Sequence, residues 1–227
     1  LQPVELLKII LVIYLATYLD AHRDLLGRGF YRVGRLRLPP LPDLIPMGLM
    51  WGLTIGLIIV QKDLGAALLF FTIFLAMLYL VTGRTGYVVA ALLAFALGAT
   101  ALYPIFGHVQ VRIDAWRDPW ADPLGNGYQI VMALYSFASG GWAGSGLGLG
   151  DPTAVPESHT DFVFTAIGEE LGLVGGLSLL LCYLLLALRG YQVALRTRDG
   201  FQQLLAVGLT TAIAAQALII TAGTTNL

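Results

Sequence analysis

Six apolar runs follow one another along the chain, at residues 6–19, 44–60, 64–81, 87–103, 167–188 and 204–222. Each is close to the roughly 20 residues that a helix needs to cross a bilayer. The pattern predicts an all-α fold: a polytopic membrane helix bundle with six spans in this chain, read as a single domain over 1–227. Polar residues gather between the runs, and the connection at 105–165 is far longer than a simple turn. Loops of more than about 15 residues are usually functional or disordered, and composition argues against disorder here. Trp116, Trp120, Tyr128, Tyr135 and Trp142 are amphipathic anchors suited to a headgroup layer, and the stretch YQIVMALYSFA at 128–138 has helical length. This segment is expected to lie on, or dip into, one leaflet. Glycines follow at 140, 141, 144, 146, 148 and 150. They forbid regular helix and leave two readings open: a flexible connector, or backbone that approaches a ligand closely. The Gly-Lys-Ser/Thr ending of a nucleotide-binding P-loop is missing.

Composition supports the membrane reading. The chain is 57% hydrophobic and 12% charged, with a mean hydropathy of +0.78, against roughly 25% charged in an average soluble domain. It opens at Leu1 rather than at a methionine and stops just after an apolar run, so it reads as a piece of a larger membrane domain. The single cysteine, Cys182, allows no disulfide within the chain and is expected to face lipid or pack in the core. A net charge of -1 with scattered basic residues gives no nucleic-acid footprint.

Charge sets the orientation. Arg23, Arg28, Arg32, Arg35, Arg37, Arg84, Arg189, Arg196 and Arg198 fall on one side, nine of the thirteen Lys and Arg. Lys8, Lys62, Arg112 and Arg117 fall on the other. The positive-inside rule places the Arg-rich connections in the cytoplasm, so 105–165 becomes a long extracytoplasmic loop.

The chemistry gathers where that loop meets the fifth run. VPESHTDFVFTAIGEELGLV sets Glu157, Ser158, His159, Thr160, Asp161 and Thr165 at the start of hydrocarbon, with Glu169 and Glu170 further on. Ionised groups near lipid are costly unless they face protein or a wet cavity, which makes the cluster a site hypothesis. Asp161 has two open readings. Partial burial would strengthen it as a general base, or it would simply cap the next helix. His159 is a second base, a phosphate contact or an interfacial histidine. A zinc site is not expected, because the three histidines are at 22, 108 and 159 and His22 lies across the membrane. Glu169 and Glu170 should face the bundle interior or pair with a basic residue. Asp114, Asp118 and Asp122 are spaced for one helical face, but Pro119 and Pro123 break such a helix, which favours turn-forming roles over a metal site. Glu5 and Lys8 are neighbours on the first helix, either as a local ion pair or with Lys8 offered to an anionic headgroup. Gln61, Lys62 and Asp63 form the turn between the second and third spans.

Five motifs in this order, QPVELLK, QKDLGAALL, RIDAWRDPWADPLGNGYQ, GGWAGSGLGLG and PESHTDFVFTAIGEELGLVGG, resemble those of the SEDS family of RodA and FtsW. The likeness covers most of the chain. Two positions depart from the family pattern: Val4 stands where serine is usual, and Lys62 and Ala66 stand where proline and threonine are usual. Family members have ten membrane helices, so the resemblance implies that three N-terminal spans and the last are missing from this chain. It also implies a peptidoglycan glycosyltransferase that polymerises lipid II at the outer face of the bacterial cytoplasmic membrane, in cell elongation or division. The partner would be a class B penicillin-binding protein, and the products a glycan strand and undecaprenyl diphosphate. By resemblance Asp161 is the essential aspartate and Lys8 the important lysine, with Glu5, Arg112, Gln129, Glu157, His159 and Thr160 as candidate substrate contacts. No cofactor is required by the sequence, although a divalent cation (Mg or Mn) is one way to neutralise a leaving diphosphate. The rival readings are a lipid II flippase and an inactive scaffold. Motifs concentrated on one face disfavour the first, and intact Asp161 and Lys8 disfavour the second.

Overall fold

The computed structural model describes residues 3–24, 31–33, 36–38, 64–104, 107–151, 155–156 and 162–226. The expected span at 44–60 and the turn at 61–63 lie outside them. Among the described residues the helices are α1 (Pro3–Ala21), α2 (Leu64–Thr82), α3 (Thr85–Leu102), α4 (Gly107–Arg117), α5 (Tyr128–Gly140), α6 (Val163–Arg196) and α7 (Gly200–Thr225). A short 3-10 turn, Pro119–Ala121, separates α4 from α5. The remaining five apolar runs coincide with α1, α2, α3, α6 and α7. By length and composition α2, α6 and α7 are able to cross a membrane, which fits a multi-pass membrane protein. α1 carries three charged residues, Glu5, Lys8 and Asp20.

Among the described residues the fold is helical as expected, with one addition: the Arg-rich connection contains a short antiparallel hairpin of β1 (Tyr31–Val33) and β2 (Leu36–Leu38), with Tyr31 opposite Leu38 and Val33 opposite Leu36. The aromatic and β-branched residues of YRV suit a strand. The fifth run is also longer than its apolar core. α6 extends to Arg196, because backbone bonding continues past the last leucine cluster and a basic residue in the final turn complements the helix dipole.

The chain divides into two compact units. The first comprises Leu1–Thr100 and Leu186–Ala215. Within it, α1 packs along α2. Its buried positions are 8, 11, 12, 15, 16 and 19, the three-and-four spacing of a single helical stripe. α2 answers with Phe70, Phe71, Ile73, Phe74, Met77 and Leu78, of which Ile73 and Met77 are wholly shielded. α7 reaches the same core at Gly208, where an added Cβ would stand 2.9 Å from Met77 Sδ and would collide with Val12. Small residues permit this approach between membrane helices. Tyr191 and the buried Thr211 join α6 to α7 through their hydroxyls, 2.9 Å apart.

The second unit comprises Ala101–Leu185 and Gln216–Leu227. Gln110 Nε2 donates to the Tyr103 carbonyl at 3.0 Å, and Tyr103 donates its hydroxyl to Asp114 at 3.2 Å, which tie α4 to the end of α3. Asp122 Oδ2 accepts the Asn126 N–H at 2.9 Å, closing the turn before α5. These two aspartates therefore serve helix and turn geometry. Among the described residues no group of three or more His, Cys, Asp or Glu is arranged to hold a metal ion. Trp120 meets Tyr135 edge to face with ring centroids 5.9 Å apart.

Candidate active site

The glycine-rich segment and the first turns of α6 together form the most specific local geometry in the second unit. α6 is broken at Gly172, whose φ of 68° and ψ of -168° are not helical. In an unbroken helix the Glu169 carbonyl would accept from the Leu173 N–H, and the Glu170 carbonyl from the Val174 N–H. All four groups turn instead to the glycine segment. Ser145 N–H donates to the Glu169 carbonyl at 2.9 Å and Gly146 N–H to the Glu170 carbonyl at 3.0 Å. Leu173 N–H donates to the Gly141 carbonyl at 2.9 Å and Val174 N–H to the Trp142 carbonyl at 3.2 Å. Two rungs of a helix have been opened and a foreign strand inserted.

The energetic reason is direct. A backbone group left without a partner in apolar surroundings costs several kcal/mol, so four such groups would cost on the order of 10 kcal/mol. The clasp removes that cost and makes a broken membrane helix tolerable. It also requires bare backbone. A Cβ on Gly144 would lie 2.7 Å from the Leu171 carbonyl carbon, and one on Gly172 would lie 2.6 Å from the Trp142 carbonyl oxygen. Both residues also have positive φ, 83° and 68°, which side-chain-bearing residues rarely adopt. α5 delivers the segment to this place by packing Gly140 on the backbone at Gly168 and Glu169, while Phe137 meets Phe164 at a ring separation of 5.7 Å.

The glycine segment is thus neither a loose connector nor a phosphate cradle at Ser145 and Gly146, whose N–H groups are committed to α6. Glu169 and Glu170 are half-buried and have no ion pair among the described residues, so of the two expected arrangements, facing inward or pairing with a basic residue, the second is not seen there. Instead Glu169 Oε1 accepts the Asp151 N–H at 3.1 Å, and Gly150 packs on both side chains. Glu169 Oε2 is shut away from solvent with no hydrogen-bond partner among the described residues. The signal available in the sequence was the alternation of glycines at 144, 146 and 148 together with a lone glycine at 172 inside an apolar run. Nothing in that pattern names the pairing.

In the first unit Glu5 and Lys8 come together at 2.6 Å, with Lys8 at the head of the buried stripe of α1 and Glu5 half exposed. Arg112 is exposed on α4 and Gln129 exposed on α5. Thr165 is buried in the first turn of α6. Asp161, Glu157, His159 and Thr160 lie outside the described residues. Val163, two positions beyond Asp161, begins α6. Cys182 is exposed on α6 between exposed leucines at 181 and 184, the environment of a lipid-facing residue.

Comparison with known proteins decides the family. Residues 1–227 match the FtsW, RodA and SpoVE family of cell cycle proteins. The chain belongs to that family. It is 45% identical over 227 residues to a peptidoglycan glycosyltransferase RodA of Mycobacterium tuberculosis, covering 100% of this chain and 48% of that protein. It is 34% identical to a probable peptidoglycan glycosyltransferase FtsW of Geobacter sulfurreducens, covering 100% of this chain and 58% of that one. The chain therefore spans about half the length of the curated relatives it matches. In fold it resembles one chain of a solved peptidoglycan synthase complex that coordinates polymerization and crosslinking, with a TM-score of 0.64 and 24% identity, over 100% of this chain and 70% of that chain. At that identity the likeness concerns the fold. In this chain the clasped helix follows directly in sequence on the HTDF stretch at 159–162, which contains Asp161.

Proposed function

We propose that this protein is a peptidoglycan glycosyltransferase that polymerises lipid II into glycan strands at the outer face of the bacterial cytoplasmic membrane. The observation that carries the reading is membership of the FtsW, RodA and SpoVE family over the whole chain, with relatives named as peptidoglycan glycosyltransferases. Lipid II holds its sugar through an α-linked diphosphate and the glycan is β-linked, so one inverting displacement accounts for the change. Asp161 takes the proton from the acceptor GlcNAc 4-hydroxyl. That oxygen bonds to the donor MurNAc anomeric carbon as the bond from that carbon to the phosphate oxygen breaks, and undecaprenyl diphosphate leaves with the electron pair. General-base help of this kind contributes about two to four orders of magnitude.

A leaving diphosphate needs no proton from an acid, so one carboxylate suffices, unlike the paired acids of glycosidases. Its charge must still be met. Lys8 and Arg112 are the proposed headgroup contacts, and Gln129, Glu5, Glu157, His159 and Thr160 are the further candidates. The described residues offer no cluster to hold a cation, so dependence on Mg or Mn is to be read by chelation and add-back. The proposed partner is a class B penicillin-binding protein, which would crosslink the strands in elongation or division.

The deciding experiment supplies the purified full-length protein with fluorescent lipid II in vesicles. A ladder of glycan products from the wild type, abolished in Asp161→Asn with lipid II binding retained, supports the reading. Undiminished polymerisation by Asp161→Asn refutes the base assignment. Protection of the headgroup from an impermeant reagent without any ladder would identify a flippase instead.

A further inference from the structure

We propose that the glycine segment at 141–149 is a strap and that α6 is a two-state helix, broken at Gly172 while the strap is seated and continuous when it withdraws. The four α6 groups held by the strap are the carbonyls of Glu169 and Glu170 and the N–H groups of Leu173 and Val174. Those same groups are each other's partners in an uninterrupted helix, Leu173 with Glu169 and Val174 with Glu170. Withdrawal therefore orphans no backbone group of α6: two ordinary rungs close where two had been opened. Only the N–H groups of Ser145 and Gly146 and the carbonyls of Gly141 and Trp142 lose their partners, and Gly141, Trp142 and Ser145 are exposed.

Three features suit the chain to both states. Gly172 takes a φ of 68° in the seated state and, lacking a Cβ, turns as readily to the helical value of about -63°. Gly141 has a φ of 53° and open space where a side chain would stand, so the strap swings there while Gly140 stays packed on Gly168. The strap is also lightly held. Trp142, Leu147 and Leu149 are 77%, 77% and 76% exposed, so none of these large side chains anchors it, and hydrogen bonds to α6 are what seat it. Segments with few buried apolar contacts and exposed backbone bonds open at the low end of a protein's stability. Rotation at Gly172 redirects the turns at 163–171, which carry Glu169 and Glu170, relative to the helix that follows. The strap thereby sets where those two carboxylates stand.

The test uses the full-length protein in lipid nanodiscs and two variants that unseat the strap. Gly144→Ala drives a Cβ into the Glu170 carbonyl, and Ser145→Pro deletes the donor to the Glu169 carbonyl. Site-resolved amide exchange at Gly146 is expected to rise at least about 100-fold in both, while Leu173 and Val174 stay within about threefold of the wild type, because those two N–H groups have a partner in either state. Spin labels at Val163 and Leu185, exposed positions 22 residues apart on α6, report the helix itself. Their separation should move in both variants to that of an unbroken helix, about 33 Å between backbones. Leu173 and Val174 exchanging in step with Gly146 would overturn the proposal, since α6 would then stay open without the strap. So would a label separation equal to the wild type's, or unchanged exchange at Gly146. The wild type needs no variant to be informative: Leu173 and Val174 should already exchange at least about tenfold more slowly than Ser145 and Gly146, and equal rates would sink the two-state helix. Neither readout depends on polymerisation, so the result stands apart from the glycosyltransferase reading.

Discussion

The contact between α1 and α2 and the clasp on α6 solve the same problem, holding membrane helices in place, with opposite materials. In the first unit the contact is made of side chains. A three-and-four stripe on α1 meets Ile73 and Met77, side chain against side chain. In the second unit the contact is made of backbone. Two helical rungs are opened, and the N–H and C=O groups of a glycine segment enter them. Lipid is as apolar as leucine, so side-chain packing between membrane helices gains little from burial and relies on close fit. Backbone pairing gains more in that setting, because the alternative is an unpaired polar group away from water. The difference explains why the second unit, which adjoins the HTDF motif, spends so many glycines on a contact that leucines would make elsewhere.

The comparison breaks first at Gly172. Gly172→Ala combines a positive φ with a Cβ driven into the Trp142 carbonyl, and is expected to destabilise the protein by roughly 3 kcal/mol. Thermal unfolding in detergent, with loss of exchange protection confined to 141–146, would check it. A midpoint equal to that of the wild type would mean that the break is not held by the clasp.

Next is Met77→Ala, which opens a cavity in a fully shielded position. About 2 kcal/mol is expected, the low end for such truncations, since lipid lessens the transfer part of the cost. A loss larger than that of Gly172→Ala would reverse the ranking of the two contacts.

Thr211→Val removes the hydroxyl that meets Tyr191 and should cost about 0.6 kcal/mol, the usual size of such bonds in membrane helices. Urea- or SDS-titrated unfolding against Tyr191→Phe in a double-mutant cycle would isolate that pair. Smallest is Ser145→Ala. It deletes one donor to Glu169 but leaves the backbone N–H in place, so the change should stay below about 0.5 kcal/mol. A large effect there would show that the clasp depends on a side chain after all.

Much of the architecture was legible from residue order. The helical runs, the helix at 128–140 and the neighbourly pairing of Glu5 with Lys8 all depend on spacing along one chain segment, which sequence records directly. The hairpin in the Arg-rich connection was missed because three-residue strands leave almost no periodicity to read. The partner of Glu169 was not legible for a different reason: a carboxylate in an apolar helix is expected to turn inward or find a basic residue, and nothing local announces a backbone N–H arriving from eighteen residues away.

By itself, then, residue order determined that this chain is a membrane protein and where its described helices run, because hydrophobicity and helical period are properties of contiguous residues. The opening of α6 at Gly172 and its repair by Gly141, Trp142, Ser145 and Gly146 were decided only in three dimensions. A hydrogen bond between backbones depends on where two distant strands meet, and every residue carries the same backbone groups, so the letters of the sequence cannot distinguish which of them will pair.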